Sequence, residues 1–266
     1  MFKYWGFLLC FFVTCNCSAE NRPFRFAVNN VTSPPYAWID KCNGELHGAV
    51  LDILEKVFEG VDIAHENVFY RSDAELVAQL RNDLINGKID GVVLPARTYV
   101  GLVSFTDIAL LERNPVVVTR AKEMSSPINL LDLKGRRGGI RSNELGSSGL
   151  DPSFVSIYEE LKLSNVTNVR SGFSRLLNNE LDFFISGELV VKGLLWESVK
   201  SKDLMVSELT DKVYKPLYLA IAKNSPFLGD LPALETEIAS VRKRGLERLI
   251  YRNNMNHWIS QRNCAK

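Results

Sequence analysis

The sequence predicts an α/β protein of two similar lobes, each a mostly parallel sheet flanked by helices. Three observations carry that prediction. First, one pattern occurs twice: Leu84-Ile85-Asn86-Gly87-Lys88-Ile89-Asp90 runs into Gly91-Val92-Val93-Leu94, and Leu176-Leu177-Asn178-Asn179-Glu180-Leu181-Asp182 runs into Phe183-Phe184-Ile185. In each copy apolar residues at helical spacing meet an Asn-containing stop, and an apolar run of one buried strand's length follows the Asp. Second, short strand patterns alternate with helical ones along the chain. Third, no low-complexity tether separates the halves, so strands should join them. Two such lobes leave a cleft, and clefts bind small molecules.

The elements follow in order. Phe24 to Val28 alternates as a first strand, and Asn29 to Pro35 breaks it with polar residues and two prolines. Tyr36 to Ile39 and Glu45 to His47 flank Asn43-Gly44, a dipeptide suited to the positive φ angles of a tight hairpin. A helix opens after Gly48, with Val50, Leu51, Leu54, Val57 and Phe58 on one face and Gly60 at its end. Val68 to Tyr70 is a second strand, and Ser72 with Glu75 has the spacing of a capping box ahead of Leu76, Leu80 and Leu84.

Beyond the first repeat copy, Arg97 to Val103 is a connection and Pro115 to Thr119 a strand leaving the first lobe. The second lobe starts near Leu130 to Gly135, with Gly138-Gly139-Ile140 as its first strand. The polar stretch from Ser142 to Gly149 precedes an amphipathic segment from Phe154 to Leu161, an order of loop then helix that favours anions. After the second copy come a helix around Val190 to Trp196, a strand at Leu217 to Ala222 and two C-terminal helices ending near Trp258.

Residues 1–19 read as an export leader: Lys3 supplies positive charge, Trp5 to Val13 is almost wholly apolar but too short for a stable anchor, and Cys17-Ser18-Ala19 offers small residues before a cut. The expected location is the periplasm. A lipoprotein anchored at Cys15 or Cys17 is the alternative. Lys3 is the leader's only charged residue, so the 32 basic and 31 acidic side chains of the chain become balanced once it is removed. Balance argues against electrostatic capture of nucleic acid or anionic membrane, and the dense basic run Arg242-Lys243-Arg244 sits where a helix should end. Of five cysteines only Cys42 and Cys264 lie outside the leader. In an oxidising compartment such a pair invites one disulfide, two free thiols being the alternative.

Read in this order, the chain resembles the type II two-lobed periplasmic solute-binding proteins of amino-acid ABC transporters. Tyr36, Asn43-Gly44 and Gly48-Ala49-Val50-Leu51-Asp52 are similar to the family's opening, Asn86 to Asp90 to its Asn-Gly-x-x-Asp step, and Ser104-Phe105-Thr106 to the ending of the next segment. Leu131 to Gly135 resembles the entry into lobe two, Leu219 to Lys223 the return strand, and Gly245 with Leu249, Ile250 and Trp258 the closing helix. The resemblance implies a first lobe of residues 20–118 and 215–266, a second lobe of 119–214 inserted between them, and two hinge strands. It also implies lobes that close on a ligand because both faces contact it.

Candidate ligand residues follow from the strand ends and the resemblance. Tyr36 and Trp38 follow the first strand and could stack on a solute, Tyr36 being preferred because alternation along the hairpin can send one of the two into its core; Tyr70 and Arg71 end the second strand and face either the cleft or the surface beside a helix cap. The family's carboxylate-gripping arginine has no counterpart at its usual spacing. Arg97 is the only arginine between Asp90 and Phe105, in a segment about three residues short. In lobe two, Arg141, Ser142, Ser147 and Ser148 surround a turn suited to an anion, where helix capping explains the serines equally. The family's ammonium-binding carboxylate falls at Gly187, and Glu188 is its neighbour.

No hydrolase elbow, metal-ligand motif or phosphate loop is present, and His47, His65 and His257 stand apart in sequence. The expectation is therefore a monomeric binding protein, not an enzyme, without cofactor or metal. It would hand a small polar solute, an amino acid or related metabolite, to the membrane permease of an ABC importer. The alternatives are a ligand-sensing partner of a membrane receptor and a dehydratase-like enzyme using Glu188 as its acid or base.

Overall fold

The computed structural model describes residues 22–29, 33–96, 98–121, 127–141, 151, 154, 155, 157, 160–195, 201–261 and 264. Two five-stranded sheets organise these residues. In the first, β1 (Phe24–Asn29) lies between β4 (His65–Tyr70) and β5 (Gly91–Pro95), all parallel, while β12 (Leu217–Ala222) runs antiparallel between β5 and β6 (Val103–Phe105). The second repeats this plan. There β8 (Gly138–Arg141) lies between parallel β9 (Ser164–Val166) and β10 (Phe183–Gly187), and β7 (Pro115–Arg120) runs antiparallel between β10 and β11 (Leu204–Glu208).

Alternation along β1 sends Phe24, Phe26 and Val28 under helices α1 (Ala49–Gly60) and α5 (Leu231–Lys243), and Ala27 toward α2 (Asp73–Ile85) on the opposite face. In the second sheet Val116, Val118 and Phe184 meet α3 (Val169–Leu177) and α4 (Glu188–Leu195), whereas Val117, Phe183 and Ile185 face Phe154 and Leu161. Strands covered on both faces explain why β5 and β10 read as continuous apolar runs. The final helix is α6 (Leu246–Ser260), and no helix among the described residues is long and apolar enough to cross a membrane.

The sequence repeat is a structural repeat. Asn86 and Asn178 cap α2 and α3, and the residues after them, Gly87 and Asn179, both take positive φ, 63° and 60°. Gly and Asn are the residues that tolerate this left-handed exit. Each Asp then binds the neighbouring strand in the same way: the Asp90 amide donates to Arg25 O at 2.8 Å and its carboxylate accepts from the Arg25 amide, while Asp182 does the same with Arg137 at 2.8 and 2.9 Å.

Four local readings are corrected. Pro115–Arg120 belongs wholly to the second sheet, so the chain changes sheet before Pro115 and not at residue 118. The Asn43-Gly44 turn is wider than a two-residue hairpin. The strands β2 (Trp38–Ile39) and β3 (Leu46–His47) pair, Asp40 N donates to Glu45 O, and only Gly44 has positive φ. The buried face of α1 is turned toward Ala49 and Ile53, leaving Val50 and Leu51 partly exposed. The predicted capping box is half formed, with Ser72 Oγ accepting from Glu75 N and Glu75 reaching Arg71 N instead of Ser72 N. Gly48 is required by close approach, because a Cβ there would lie 2.1 Å from Tyr36 O. That approach lets the first amides of α1, Ala49 and Val50, donate to Pro35 O and Tyr36 O.

Candidate functional site

Two segments carry the chain between the sheets, one before Pro115 and one before Leu217. They run together: Leu111 and Leu217 exchange backbone hydrogen bonds of 3.1 and 2.9 Å. Arg113 ties them further, with its guanidinium 4.7 Å from the Tyr214 ring centre and donating to Lys215 O at 3.2 Å. The first amide of α4, that of Glu188, donates to Asn114 O at 2.8 Å and draws the helix start against the crossing.

Against these segments lies a cavity of about 770 Å³, within the range for small-molecule sites. Its walls are Glu112 to Val116 of the first crossing, Leu209 to Tyr214 with Pro216 of the second, Val206 and Glu208 of β11, Asp151, and Glu188 with Lys192 of α4. The lining carries Glu112, Asp151, Glu188, Glu208 and Asp211 against Arg113, Lys192 and Lys212, an acidic surplus that favours a cationic group. Apolar surface comes from Val116, Val206, Leu209, Val213 and the Tyr214 ring.

Glu188 is the best-defined charge in this wall. Its side chain is 28% exposed, with Oε1 accepting from Lys192 Nζ at 2.5 Å and Oε2 from Asn114 Nδ2 at 3.3 Å. The Lys192 ammonium holds its carboxyl below the ordinary glutamate value, outweighing burial, and Asn114 assists. Glu188 is therefore ionised at neutral pH. That suits an ion-pairing group better than a general acid, whose pKa should lie near the working pH.

The other predicted residues fall elsewhere. Trp38 is completely buried, stacked on His47 and edge-on to Trp258, so it cannot touch a solute in this conformation. Tyr36 is 9% exposed and packs edge-on against Tyr251, and burial pushes its hydroxyl above the ordinary tyrosine value. Tyr70 faces α2 instead of a cleft: it is buried, and its hydroxyl donates to Asp83 Oδ2 at 2.8 Å. Arg141 is half-buried at the end of β8, its Nε making no hydrogen bond among the described residues. Arg97, Ser142 and Ser147 lie outside the described residues. Of the five candidates among the described residues, Glu188 alone lines the cavity. Sequence reasoning missed Arg113, Asn114, Asp211 and Tyr214. The available signal was the pair of polar stretches ahead of Pro115 and Pro216, Glu112-Arg113-Asn114 and Thr210-Asp211-Lys212.

No protein-family model matches the chain, and no curated protein matches its sequence. Solved structures share its architecture. An amino acid ABC transporter substrate-binding protein, AbpA from Streptococcus pneumoniae bound to L-arginine, matches with a TM-score of 0.62 at 14% identity, over 89% of this chain and 96% of its own. The GluR0 ligand-binding core in complex with L-glutamate matches with a TM-score of 0.65 at 14% identity, over 88% and 98%. The arginine-, lysine- and histidine-binding protein ArtJ from Geobacillus stearothermophilus matches with 0.60 at 18% identity, over 87% and 94%. The chain has the type II binding-protein fold. In this two-lobed fold the repeat, the crossings and the cavity between them fall into one scheme: duplicated sheets joined at a narrow waist, with an acidic cavity on the waist. The disulfide is formed, linking Cys42 in the β2–β3 loop to Cys264 beyond α6 with Cα atoms 5.1 Å apart.

Proposed function

We propose that this protein is an exported, non-enzymatic binding protein that captures a small polar solute of amino-acid type and presents it to the membrane permease of an ABC importer. The observation that carries this reading is the cavity against the paired crossings, whose wall includes the ionised carboxylate of Glu188. In this fold a ligand held at the waist biases closure of one lobe on the other. The lobes would comprise residues 20 to the first crossing with the return from about 215, and the inserted segment between them. Residues 1–19 would be removed on export, and the working unit is a monomer. The acidic surplus favours a solute with an ammonium or guanidinium group, in keeping with the arginine bound by AbpA. Arg113, Lys192 and Lys212 are the lining cations that a ligand carboxylate would meet.

The test is thermal unfolding of the purified protein against single amino acids, with arginine, lysine, glutamine and glutamate compared. A ligand at a hundredfold excess over its dissociation constant adds about 2.7 kcal/mol. Arginine or lysine should raise the melting temperature and glutamate should not. Glu188→Gln should weaken the cationic ligand by about tenfold, the scale of one hydrogen bond to a charged group. The ligand should be recovered unchanged by mass spectrometry, and its conversion would instead establish an enzyme. No stabilisation by any amino acid, or equal binding to Glu188→Gln, would remove the proposed role of this cavity.

A further inference from the structure

Asp40, His47 and His257 come from the β2–β3 hairpin and from α6, with 217 positions between Asp40 and His257. The fold brings Asp40 Oδ2, His47 Nε2 and His257 Nε2 within 4.8 Å of one another. His257 Nε2 lies 2.7 Å and His47 Nε2 4.0 Å from Asp40 Oδ2. His47 Nε2 is buried, yet it makes no hydrogen bond among the described residues. A purely hydrogen-bonded cluster leaves that atom unsatisfied; a cation between the three would satisfy it.

We propose that Asp40, His47 and His257 bind one divalent transition-metal ion of the zinc class, clamping the hairpin to α6. Two imidazoles and a carboxylate form a donor set suited to zinc, whereas magnesium and calcium take oxygen ligands. Bonds of about 2.0–2.2 Å around a tetrahedral ion put ligand atoms roughly 3.3 Å apart, so the side chains need to shift by only an ångström or so. Glu45 Oε2 lies 3.7 Å from His47 Nε2 but accepts from Asn43 Nδ2 at 2.8 Å and stands outside the three-ligand group, which leaves the fourth position to water.

The surroundings hold the ligands in position. Asp40 is 3% exposed, its Oδ1 accepting from Cys42 N at 2.6 Å and its Oδ2 from Gln261 Nε2 at 3.3 Å. Trp38 stacks on the His47 ring with centres 6.2 Å apart and meets the His257 ring edge-on at 5.9 Å. His257 is 40% and His47 30% exposed, which leaves an entry path for the ion. None of these residues lines the large cavity, so the metal site stands independently of the solute site.

The test is calorimetric titration of EDTA-stripped protein, expressed with its own leader, with Zn²⁺, followed by Co²⁺ spectroscopy and thermal unfolding. One Zn²⁺ should bind saturably and raise the melting temperature, and Mg²⁺ should do neither. His257→Ala and His47→Phe should each weaken Zn²⁺ by on the order of a hundredfold, and Gln261→Leu, a positioning change, by about tenfold. His47→Phe keeps an aromatic ring on Trp38 and removes only the ligating nitrogen, so it separates lost binding from lost folding. The Co²⁺ form should show nitrogen and oxygen ligation. Absence of a single saturable site, unaltered Zn²⁺ binding in His47→Phe, or a thiolate-to-cobalt charge-transfer band would overturn the proposal.

Discussion

Asp90→Ala should destabilise the protein by about 3 kcal/mol, the lower part of the range for breaking a buried ion pair. No part of the Asp90 side chain reaches solvent. Its Oδ1 accepts from Arg22 Nη2 and Ser225 Oγ, both at 2.8 Å, and its Oδ2 from Arg22 Nη1 at 2.5 Å and Arg25 N at 2.9 Å. Removing the carboxylate strands the Ser225 hydroxyl and the Arg25 amide, while Arg22, 34% exposed, recovers part of its hydration. Asp182→Ala should cost less, since its main partner Arg137 is 58% exposed. Burial opposes ionisation of Asp90, but Arg22, the Arg25 amide and Ser225 outweigh it and hold the carboxyl below its ordinary value. The stabilisation is therefore complete above the unfolded value of about pH 4 and is lost as pH falls through the lower folded value. Urea unfolding across acid pH should show a steeper decline for the parent than for Asp90→Asn. Parallel declines would contradict this account.

Trp258→Ala should cost about 3–5 kcal/mol, the range for emptying a buried aromatic site. The indole is 1% exposed, edge-on to Trp38 at 5.9 Å, and covered by the Lys41 ammonium 4.8 Å from a ring centre. Its Nε1 donates to Gly193 O at 3.3 Å, so one side chain of α6 joins the hairpin to α4 of the second sheet. Trp258→Phe should lose less, retaining most of the apolar area but not the indole hydrogen bond. Denaturant unfolding measures both, and a loss below about 1 kcal/mol for the alanine variant would show that the surroundings collapse into the space.

What the sequence made legible was local. Helix, stop, Asp and strand occupy contiguous residues, so the duplication around Asp90 and Asp182 is visible without a structure, and a sequence with no low-complexity tether between its halves implies a direct crossing. What it hid depended on distant pairing. The burial of Tyr36, Trp38 and Tyr70 is decided by Tyr251, Trp258 and Asp83, and a two-residue strand such as Trp38–Ile39 has too little alternation to reveal its inner face. His47 and His257 looked isolated because the hairpin and the last helix meet only after the chain has passed through both sheets. Glu188 was legible through the resemblance alone, as the carboxylate next to Gly187, where an ammonium-binding acid was expected. Its partner Asn114 was not, since a polar residue ahead of Pro115 carries no mark of where its amide points.

The Cys42–Cys264 bond spans 222 positions, so most of the described chain, including every strand of the two five-stranded sheets except β1, is one covalent ring. Ring closure of that length restricts the unfolded chain and contributes up to about 5 kcal/mol in the chain-entropy view. It also changes what a protease achieves. A single nick anywhere within the ring opens it to a line without releasing a fragment, and the pieces part only when a reductant reaches Cys42 and Cys264, both exposed at the surface.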